Sequence, residues 1–476
     1  MTKIKKIAHS YQSVYFYILL VACMATVFGF NLGAMLSSKV RLINIFMLEI
    51  YDIDSMVNTF MLGSFVGVFF GGRLVYDTGR VQSVIGSFSF GVIGQCTAIL
   101  APTFSTLFIT EFVVGVSSGV YLISAICYIT ELSPKERRGT CALLIPSFAV
   151  LGFLISVLLK DIIPRNDILV VGCLMIAAVP VVIVSYLRLP ESPRWLALTD
   201  SSDKALTELI RLRNSTSEAA RELAAINECV LGDDRGITMF FRNSVFRSIV
   251  WFFLFIVIAA NLSGFAIIPY MSLEIVKSFK AALGILSPNE KYEINFLMLK
   301  SVLFAAFIGC VVSCLMADKI GHRRILLITG TINEVMLFGI YFLYFTGSAL
   351  VGPALMSVCL LVFCLSSVIF ICTFLFLLLP ELLPVKGREF CLTIIFLVQI
   401  TALMLGIYFF NRFIHSQGVL MAVCIFMMAG ALLFTLIYQG MPEPKNQMLE
   451  SMENTIFNER SLKAINKAQN KVNGKN

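Results

Sequence analysis

Residues 131–138 read ELSPKERR, and residues 381–388 read ELLPVKGR. The glutamate, the proline and the final arginine stand at the same places in both copies, which lie 250 positions apart. Two further related turns, DTGR at residues 77–80 and DKIGHRR at residues 318–324, have glycines that lie 242 positions apart. Two markers in the same order at nearly the same offset indicate an internal duplication with parallel halves.

The segments between these markers are strongly apolar. Of the 476 residues, 58% are apolar and 14% are charged, whereas soluble chains have about 45–50% and about 25%. Twelve runs are long enough to cross a bilayer, six before a central polar segment and six after it. The sequence therefore predicts an all-α membrane protein with twelve transmembrane helices in two pseudo-symmetric six-helix bundles.

Most of the 37 Lys and Arg residues fall on one side of these runs, which the positive-inside rule makes cytoplasmic. We therefore expect a multi-pass plasma-membrane protein with both termini in the cytoplasm. The predicted divisions are a cytoplasmic N-terminus (1–14), the N-terminal bundle (15–187), a cytoplasmic central segment with short helices (188–246), the C-terminal bundle (247–439) and a cytoplasmic tail (440–476).

Composition argues against several functional classes. The net charge of +8 is too small and too scattered for a nucleic-acid surface. The thirteen cysteines lie mostly inside apolar runs, which does not indicate a disulfide framework or a metal site. There is no Walker-type glycine loop and no nucleophile–base pair. We expect no enzyme activity, no cofactor and no metal, and a protein that works as a monomer in the lipid bilayer.

Three longer motifs carry a family resemblance. They are YITELSPKERRG at residues 128–139, PESPRWL at 190–196 and PEPK at 442–445. With the two glycine–arginine turns, they make the chain resemble the sugar porter family of the major facilitator superfamily, as a divergent member. The resemblance implies a transporter that moves a hexose or related polyol by alternating access between two rocking bundles.

The charged residues at the predicted cytoplasmic helix ends favour a gate. Acids on one element and arginines on another can pair when the bundles close and separate when they open. The residues assigned to this gate are Arg80, Glu131, Arg138, Glu191, Arg194, Asp318, Arg323, Glu381 and Arg388. The alternative is that these charges only set topology. His322 beside them either makes closure pH-sensitive or has no such role.

The substrate-facing positions depart from the family pattern. The seventh helix of relatives carries Gln-Gln-x-Ser-Gly-x-Asn, which here reads ANLSGFA at residues 260–266. Pro146 replaces a glutamine on the fifth helix, and Phe376 replaces a tryptophan on the tenth. The resemblance gives Asn31, Asn261, Ser263, Gly264, Phe265, Tyr270 and Phe376 as substrate-binding candidates. This pocket is unusually apolar, so either affinity and specificity are low or the substrate is not a common hexose.

The coupling positions leave the transport mode open. Proton-coupled relatives carry an aspartate where this chain has Asn31, which cannot titrate, so the first hypothesis is facilitative uniport. Glu111 replaces an arginine on the fourth helix and must carry a proton or pair with a cation, so a proton-coupled symporter using Glu111 is the alternative. Glu334, also mid-span, serves either helix packing, a solvated crevice or transport. The altered pocket also suggests a non-transporting sugar sensor, although the tail has only 36 residues after Gly440.

Overall fold

The structure is a computed structural model that describes residues 2–37, 50–101, 103–162, 167–199, 201–213, 215–230, 236–284, 296–346, 351–444, 449–450 and 453. Within these ranges the regular secondary structure is entirely helical. The predicted all-α class is therefore confirmed. The predicted tail lies outside the described residues except at residues 440–444, 449–450 and 453.

The helices follow the predicted six-plus-six order. The first half contains α1 (Thr2–Ser37), α2 (Ile50–Thr78), α3 (Arg80–Ile99), α4 (Phe104–Leu132), α5 (Arg138–Ile162) and α6 (Asp167–Arg188). Four shorter helices follow: α7 (Pro193–Leu198), α8 (Ser202–Arg213), α9 (Thr216–Val230) and α10 (Gly236–Arg242). The second half contains α11 (Ser244–Leu262), α12 (Ile267–Ala282), α13 (Phe296–Ala317), α14 (His322–Thr346), α15 (Gly352–Cys372), α16 (Leu379–Leu382), α17 (Arg388–Gln417) and α18 (Val419–Gly440).

Two of these segments are interrupted spans. α11 and α12 form one apolar crossing, Ser244–Ser272, that breaks at Gly264, whose φ of +76° is left-handed and suits glycine. α15 continues through a π-helical turn, Thr373–Leu378, into α16. Ten crossings in the described residues are long and apolar enough to span a membrane. α3 and α6 complete the predicted twelve; α3 is less apolar because it carries polar residues such as Gln95.

Close backbone contacts hold the N-terminal half together. A Cβ at Gly67 of α2 would lie 2.0 Å from the carbonyl oxygen of Val116 on α4, and one at Gly29 of α1 would lie 1.8 Å from that of Ala149 on α5. Only glycine permits such approaches, and small residues at crossings are typical of membrane helices. These crossings fix α1 and α4, which carry Asn31 and Glu111.

The C-terminal half has an aromatic core. The Phe265 ring lies 4.9 Å from Phe370 and 6.0 Å from Phe363 in edge-to-face geometry. Phe370 in turn stacks on Phe374, which lies 6.1 Å from Phe253. Such ring pairs add to the stability that comes from burying their area. They join α11, the break between α11 and α12, α15 and the π-helical turn into one unit.

Candidate functional site

Four buried charged side chains, Arg80, Glu131, Arg388 and Glu389, form a cluster that we call the gate cluster. Glu131 accepts hydrogen bonds from Arg80 Nε at 3.1 Å and from Arg80 Nη2 at 3.0 Å. Arg388 Nη1 lies 3.4 Å from the same carboxylate, and Arg80 also pairs with Glu389. All four side chains are at most 6% exposed. Their charges are balanced inside the cluster, which offsets the cost of burying them.

The gate cluster joins the two halves of the molecule. Arg80 begins α3 and Glu131 lies near the end of α4, whereas Arg388 and Glu389 begin α17. The Glu131–Arg388 and Arg80–Glu389 contacts therefore cross from one half to the other. The face that carries this cluster, which we call the charged face, is closed in this structure.

A second set of contacts crosses between α5 and the C-terminal half. Arg138 Nη1 lies 3.8 Å from Glu381, whose other oxygen lies 3.3 Å from His322 Nε2. The Thr140 N–H lies 3.3 Å from Asp318, and the Thr140 hydroxyl also donates to that carboxylate. Asp318 therefore binds a backbone amide and a hydroxyl, whereas an arginine had been expected. His322 is 3% exposed and faces an acid.

Two glutamates cap helices at related places in the two halves. Glu191 accepts from the first two N–H groups of α3 at 3.1 and 3.2 Å, and Glu443 accepts from the first two of α14 at 2.8 and 3.1 Å. A carboxylate complements the unpaired amides at a helix start. Burial raises the pKa of Glu191 above its usual value, although these amides favour its charged form.

Arg323 donates to the carbonyl oxygen of Tyr438 and lies over its ring at 5.6 Å.

Arg194 connects the central segment to the tail. Its Nε donates to Glu450 at 2.8 Å, and its Nη2 lies 3.5 Å from Glu222. It also donates to the backbone carbonyl of Glu131. Burial alone would raise the pKa of Glu450, but the Arg194 charge and the hydrogen bonds to the carboxylate together outweigh it, and the pKa lies below its usual value. The central segment, the N-terminal half and the tail therefore meet at one buried arginine.

Glu453 places a second tail acid against the C-terminal half. Its carboxylate accepts a hydrogen bond from the Val385 N–H at 3.0 Å, in the turn between α16 and α17. It is 7% exposed, and burial raises its pKa to about 7. The opposing effects of this hydrogen bond and of Arg388 and Lys386 are smaller. Three acids of the predicted tail are therefore docked on the charged face: Glu443 on the start of α14, Glu450 on Arg194 and Glu453 on the turn before α17.

The structure gathers all nine sequence-predicted gate residues on the charged face. Sequence reasoning missed partners that the structure supplies: Ser192, Glu222, Glu389, Glu443 and Glu450. Glu389 follows the repeated motif directly, Glu443 lies in the PEPK segment, and Glu450 follows that segment by five residues. Their positions in or beside the motifs could have indicated that they belong to the charged face. Their individual contacts could not be predicted from one sequence.

Among the predicted substrate residues, Asn261 has the most informative environment. Its Nδ2 donates to Gln399 Oε1 at 2.9 Å, and Gln399 Nε2 donates back to Asn261 Oδ1 at 3.3 Å. Nδ2 also donates to the Val257 carbonyl oxygen at 2.9 Å. Gln399 lies on α17, so the pair joins the seventh and eleventh membrane segments. Sequence reasoning missed Gln399, an amide in the middle of the apolar run at residues 390–411.

The other C-terminal candidates are scattered. Ser263 is fully buried and donates to the Ala259 carbonyl oxygen of its own helix at 2.6 Å, and Phe265 lies in the aromatic core. Gly264 forms the break between α11 and α12, while Tyr270 is half exposed on the surface of α12. Phe376 packs edge-on against Phe396 at 6.1 Å.

Asn31 and Glu111 meet inside the N-terminal half. Asn31 Nδ2 on α1 donates to Glu111 Oε2 on α4 at 2.9 Å, and the two residues are 8% and 3% exposed. A charged acid at such a depth is expensive unless a cation or several donors compensate. Among the described residues, the recorded partner of Glu111 is this neutral amide.

Glu334 lies in a different setting. It projects from α14 towards α18, where a Cβ at Gly430 would lie 1.6 Å from its Oε1. That oxygen is buried without a hydrogen-bond partner in the described part of the chain. Its position in a seam between two helices favours the packing hypothesis over a transport role.

The sequence matches the family model for sugar (and other) transporters over residues 17–456. The chain belongs to this sugar transporter family. It is 24% identical to the galactose-proton symporter of Escherichia coli strain K12, an alignment that covers 98% of this chain and 99% of that protein. It is 26% identical to the major myo-inositol transporter IolT of Bacillus subtilis, with 84% of each chain covered.

Solved structures give the same fold. The proton:xylose symporter XylE of the major facilitator superfamily, bound to 6-bromo-6-deoxy-D-glucose, has a TM-score of 0.77 at 18% identity and covers 93% of this chain and 99% of its own. XylE from E. coli in an inward-open conformation has a TM-score of 0.63 at 17% identity, covering 93% and 99%. The predicted superfamily fold, the multi-pass membrane topology and a transporter in place of an enzyme are confirmed.

Glu389→Gln should loosen the closed charged face, because it removes an acid that ties Arg80 to the opposite half. Losing one partner of a buried pair is expensive, about 3–5 kcal/mol. Cys391 follows Glu389 by two residues on α17, Cys141 follows Arg138 by three residues on α5, and they are 0% and 2% exposed. We expect their alkylation by N-ethylmaleimide, followed by peptide mass spectrometry, to accelerate by about ten-fold or more.

Cys96, which is exposed, should react at an unchanged rate in the same sample. The matched variant is Glu136→Gln, which breaks an exposed pair with Lys135 at 4.0 Å. Exposed pairs contribute little, so this control should label like the parent. Unaltered labelling of Cys141 and Cys391 in Glu389→Gln would contradict the assignment of Glu389 to the gate.

Tail docking should weaken as the pH rises. The docked Glu453 has a pKa of about 7, above the value of about 4.3 for a free glutamate. The docked state therefore binds more protons, and this contribution to docking is lost between those two values. Tryptic release of the tail should be several-fold faster at pH 8 than at pH 5.5, relative to an exposed reference peptide.

Glu453→Gln should flatten this pH dependence, because the amide is neutral throughout. Glu450→Gln should instead accelerate tail release near pH 7, since it removes the charge that pairs with Arg194. A pH profile in Glu453→Gln identical to that of the parent would show that Glu453 does not set the dependence.

Proposed function

We propose that this protein carries a hexose or related polyol across the plasma membrane by alternating access, coupled to a proton carried by Glu111. Two observations support coupling. Relatives include symporters named for galactose and arabinose, each paired with a proton. Glu111 is also buried against a neutral partner. The Asn31–Glu111 contact is the observation on which the proposal rests.

The geometry gives Glu111 the properties of a proton carrier. Its carboxyl group lies in the N-terminal half, 2.9 Å from the Asn31 amide. Buried beside a neutral amide, it is best accommodated when protonated. A half that opens to water would allow the proton to leave, and a half that closes would favour its return. Asn31 keeps the carboxyl group oriented in both protonation states, because its N–H can donate to either form.

The substrate contacts are proposed from the family resemblance and from the Asn261–Gln399 pair. Asn261 offers the retained amide, and Gln399 doubles the number of amide groups at that point. Phe376 would supply an apolar face to the sugar ring. We also retain Asn31, Ser263, Gly264, Phe265 and Tyr270 as candidates, with Ser263 and Phe265 needing a rearrangement of the helix break to reach a sugar.

The gate proposal follows from contacts that cross the two halves. The charged face closes when the gate cluster and the Arg138–Glu381 pair form, and opens when they separate. We propose that this face is cytoplasmic, which places both termini and the central segment inside the cell. The divisions 1–14, 15–187, 188–246, 247–439 and 440–476 are retained as the working domain description, with the chain acting as a monomer.

Facilitative uniport is the second candidate. It is favoured by Asn31, which is neutral where the family resemblance places an aspartate in proton-coupled members. In that case Glu111 would stay protonated throughout the cycle and serve only as a hydrogen-bonding group. A non-transporting sensor is the remaining alternative from the altered pocket.

Proteoliposomes with an imposed pH gradient separate these candidates. A gradient of one unit supplies about 1.4 kcal/mol per proton, enough for about ten-fold accumulation of solute. With radiolabelled D-galactose, D-xylose and myo-inositol as probes, we expect the parent protein to accumulate at least one of them. Glu111→Gln should abolish accumulation but retain exchange of labelled for unlabelled sugar.

Glu334→Gln is the matched control, since it neutralises another intramembrane acid that faces a helix seam. It should accumulate sugar like the parent. Downhill flux without accumulation in the parent would establish uniport, and binding without any flux would favour the sensor. Equal losses in both variants would mean that Glu111 has no specific coupling role.

Asn261→Ala tests the proposed substrate contact. Loss of one buried hydrogen bond changes binding by about 0.5–1.5 kcal/mol, so half-saturation of exchange should rise about three- to ten-fold. Thr401→Ala is the control on α17, because the Thr401 hydroxyl is exposed and donates to its own helix. Surface expression should be equal in both. An unchanged half-saturation in Asn261→Ala would remove it from the site.

A further inference from the structure

The C-terminal half contains a groove distant from the gate cluster. It has a volume of about 630 Å³ and lies between α11–α12, α17 and α18. Its walls are almost wholly apolar, with four phenylalanines, Phe409, Phe410, Phe413 and Phe426. Its two polar side chains are Asn261 and Arg412. This lining is unlike a sugar site, which needs many hydrogen-bonding groups.

The groove is open at the surface of the bundle. Leu262, Leu405 and Phe409 line it and are 54%, 51% and 60% exposed. Exposed apolar side chains on a membrane helix face lipid. Along α17 the lining runs from Ala402 to Phe413, about 16 Å at the helical rise. That length matches half of a hydrocarbon core of about 30 Å, which is the depth of one leaflet.

Arg412 gives the groove a polar end. It lies about 36 Å along α17 from Arg388 of the gate cluster, which places it at the opposite membrane interface. Arg412 is exposed, and within the described ranges no acid pairs with it. A guanidinium group at an interface complements phosphate, which it can bind through two N–H groups.

We propose that this groove binds one anionic phospholipid of the leaflet opposite the charged face. An acyl chain lies along the phenylalanine wall, and the headgroup phosphate pairs with Arg412. A sugar is a poor occupant of this groove, because apart from Asn261 and Arg412 its lining side chains offer no hydrogen-bonding group. A free phosphate would leave the apolar wall uncovered. An anionic phospholipid would cover the apolar wall with its acyl chain and pair its phosphate with the Arg412 guanidinium group.

Native mass spectrometry of the full-length protein tests this assignment directly. The probes are chain-matched phosphatidylglycerol and phosphatidylcholine, added in equal amounts to the detergent-purified protein. The parent should retain one phosphatidylglycerol in preference to phosphatidylcholine. Arg412→Gln should reduce that preference about five-fold, the effect of one basic residue near a membrane surface. Arg412→Lys should keep most of it.

Ala402→Trp should displace both lipids, because the indole would fill the groove. Elution of Ala402→Trp in size-exclusion chromatography must match that of the parent, which shows that the variant is folded. If it does not match, the test depends on Arg412→Gln alone. Arg247→Gln is the matched control, an exposed arginine near the charged face at the start of α11. It should leave the preference unchanged.

Three outcomes would overturn the proposal. One is equal retention of both lipids by the parent. Another is loss of preference in Arg247→Gln to the same extent as in Arg412→Gln. The third is displacement of phosphatidylglycerol by glycerol phosphate or D-galactose, which would make the site one for free phosphate or for sugar. None of these outcomes depends on transport, so the lipid-binding result can be interpreted even if the flux assay fails.

Discussion

The carboxylate of Glu131 is the point on which the closed conformation depends. It is fully buried and shared by Arg80 from its own half and Arg388 from the other. Burying such charges is expensive unless the partners are present with good geometry. Closure of the charged face brings Arg388 to a carboxylate that is already held in place. The two halves are therefore held together by charge balance as well as by apolar packing.

The same arrangement explains how the gate can open again. Glu131 keeps Arg80 and Ser192 when the halves part, and Arg388 keeps a hydrogen bond to the Leu383 carbonyl oxygen at 3.2 Å. Glu381 likewise keeps His322 when it loses Arg138. Glu131, Arg388 and Glu381 therefore each retain a partner within their own half. Separation of the halves would not leave these three buried charges unpaired, which lowers its cost.

The sequence was sufficient for the fold and for predicting which charges lie on the charged face, because both are encoded in local patterns. Apolar runs mark membrane spans, and the repeated acid–proline–arginine motif marks corresponding helix ends in two halves. The individual contacts were less accessible. Glu191 binds backbone amides and Asp318 binds Thr140, yet an arginine partner had been the natural expectation for each. A charged residue in a sequence indicates that a polar contact is present. It does not tell whether the partner is an arginine side chain or the backbone N–H groups at the start of a helix.

In the substrate region, too, individual contacts could not be predicted from the sequence. Asn261 and Gln399 lie 138 positions apart, and nothing in the apolar run around Gln399 indicates which amide it meets. Under the proposed function, a sugar would have to replace their mutual hydrogen bonds to reach either amide. Exchange of one hydrogen bond for another yields little net free energy. A site built on one such pair, with phenylalanines around it, would therefore hold its sugar weakly and release it readily, which suits a carrier whose gate must open once per cycle.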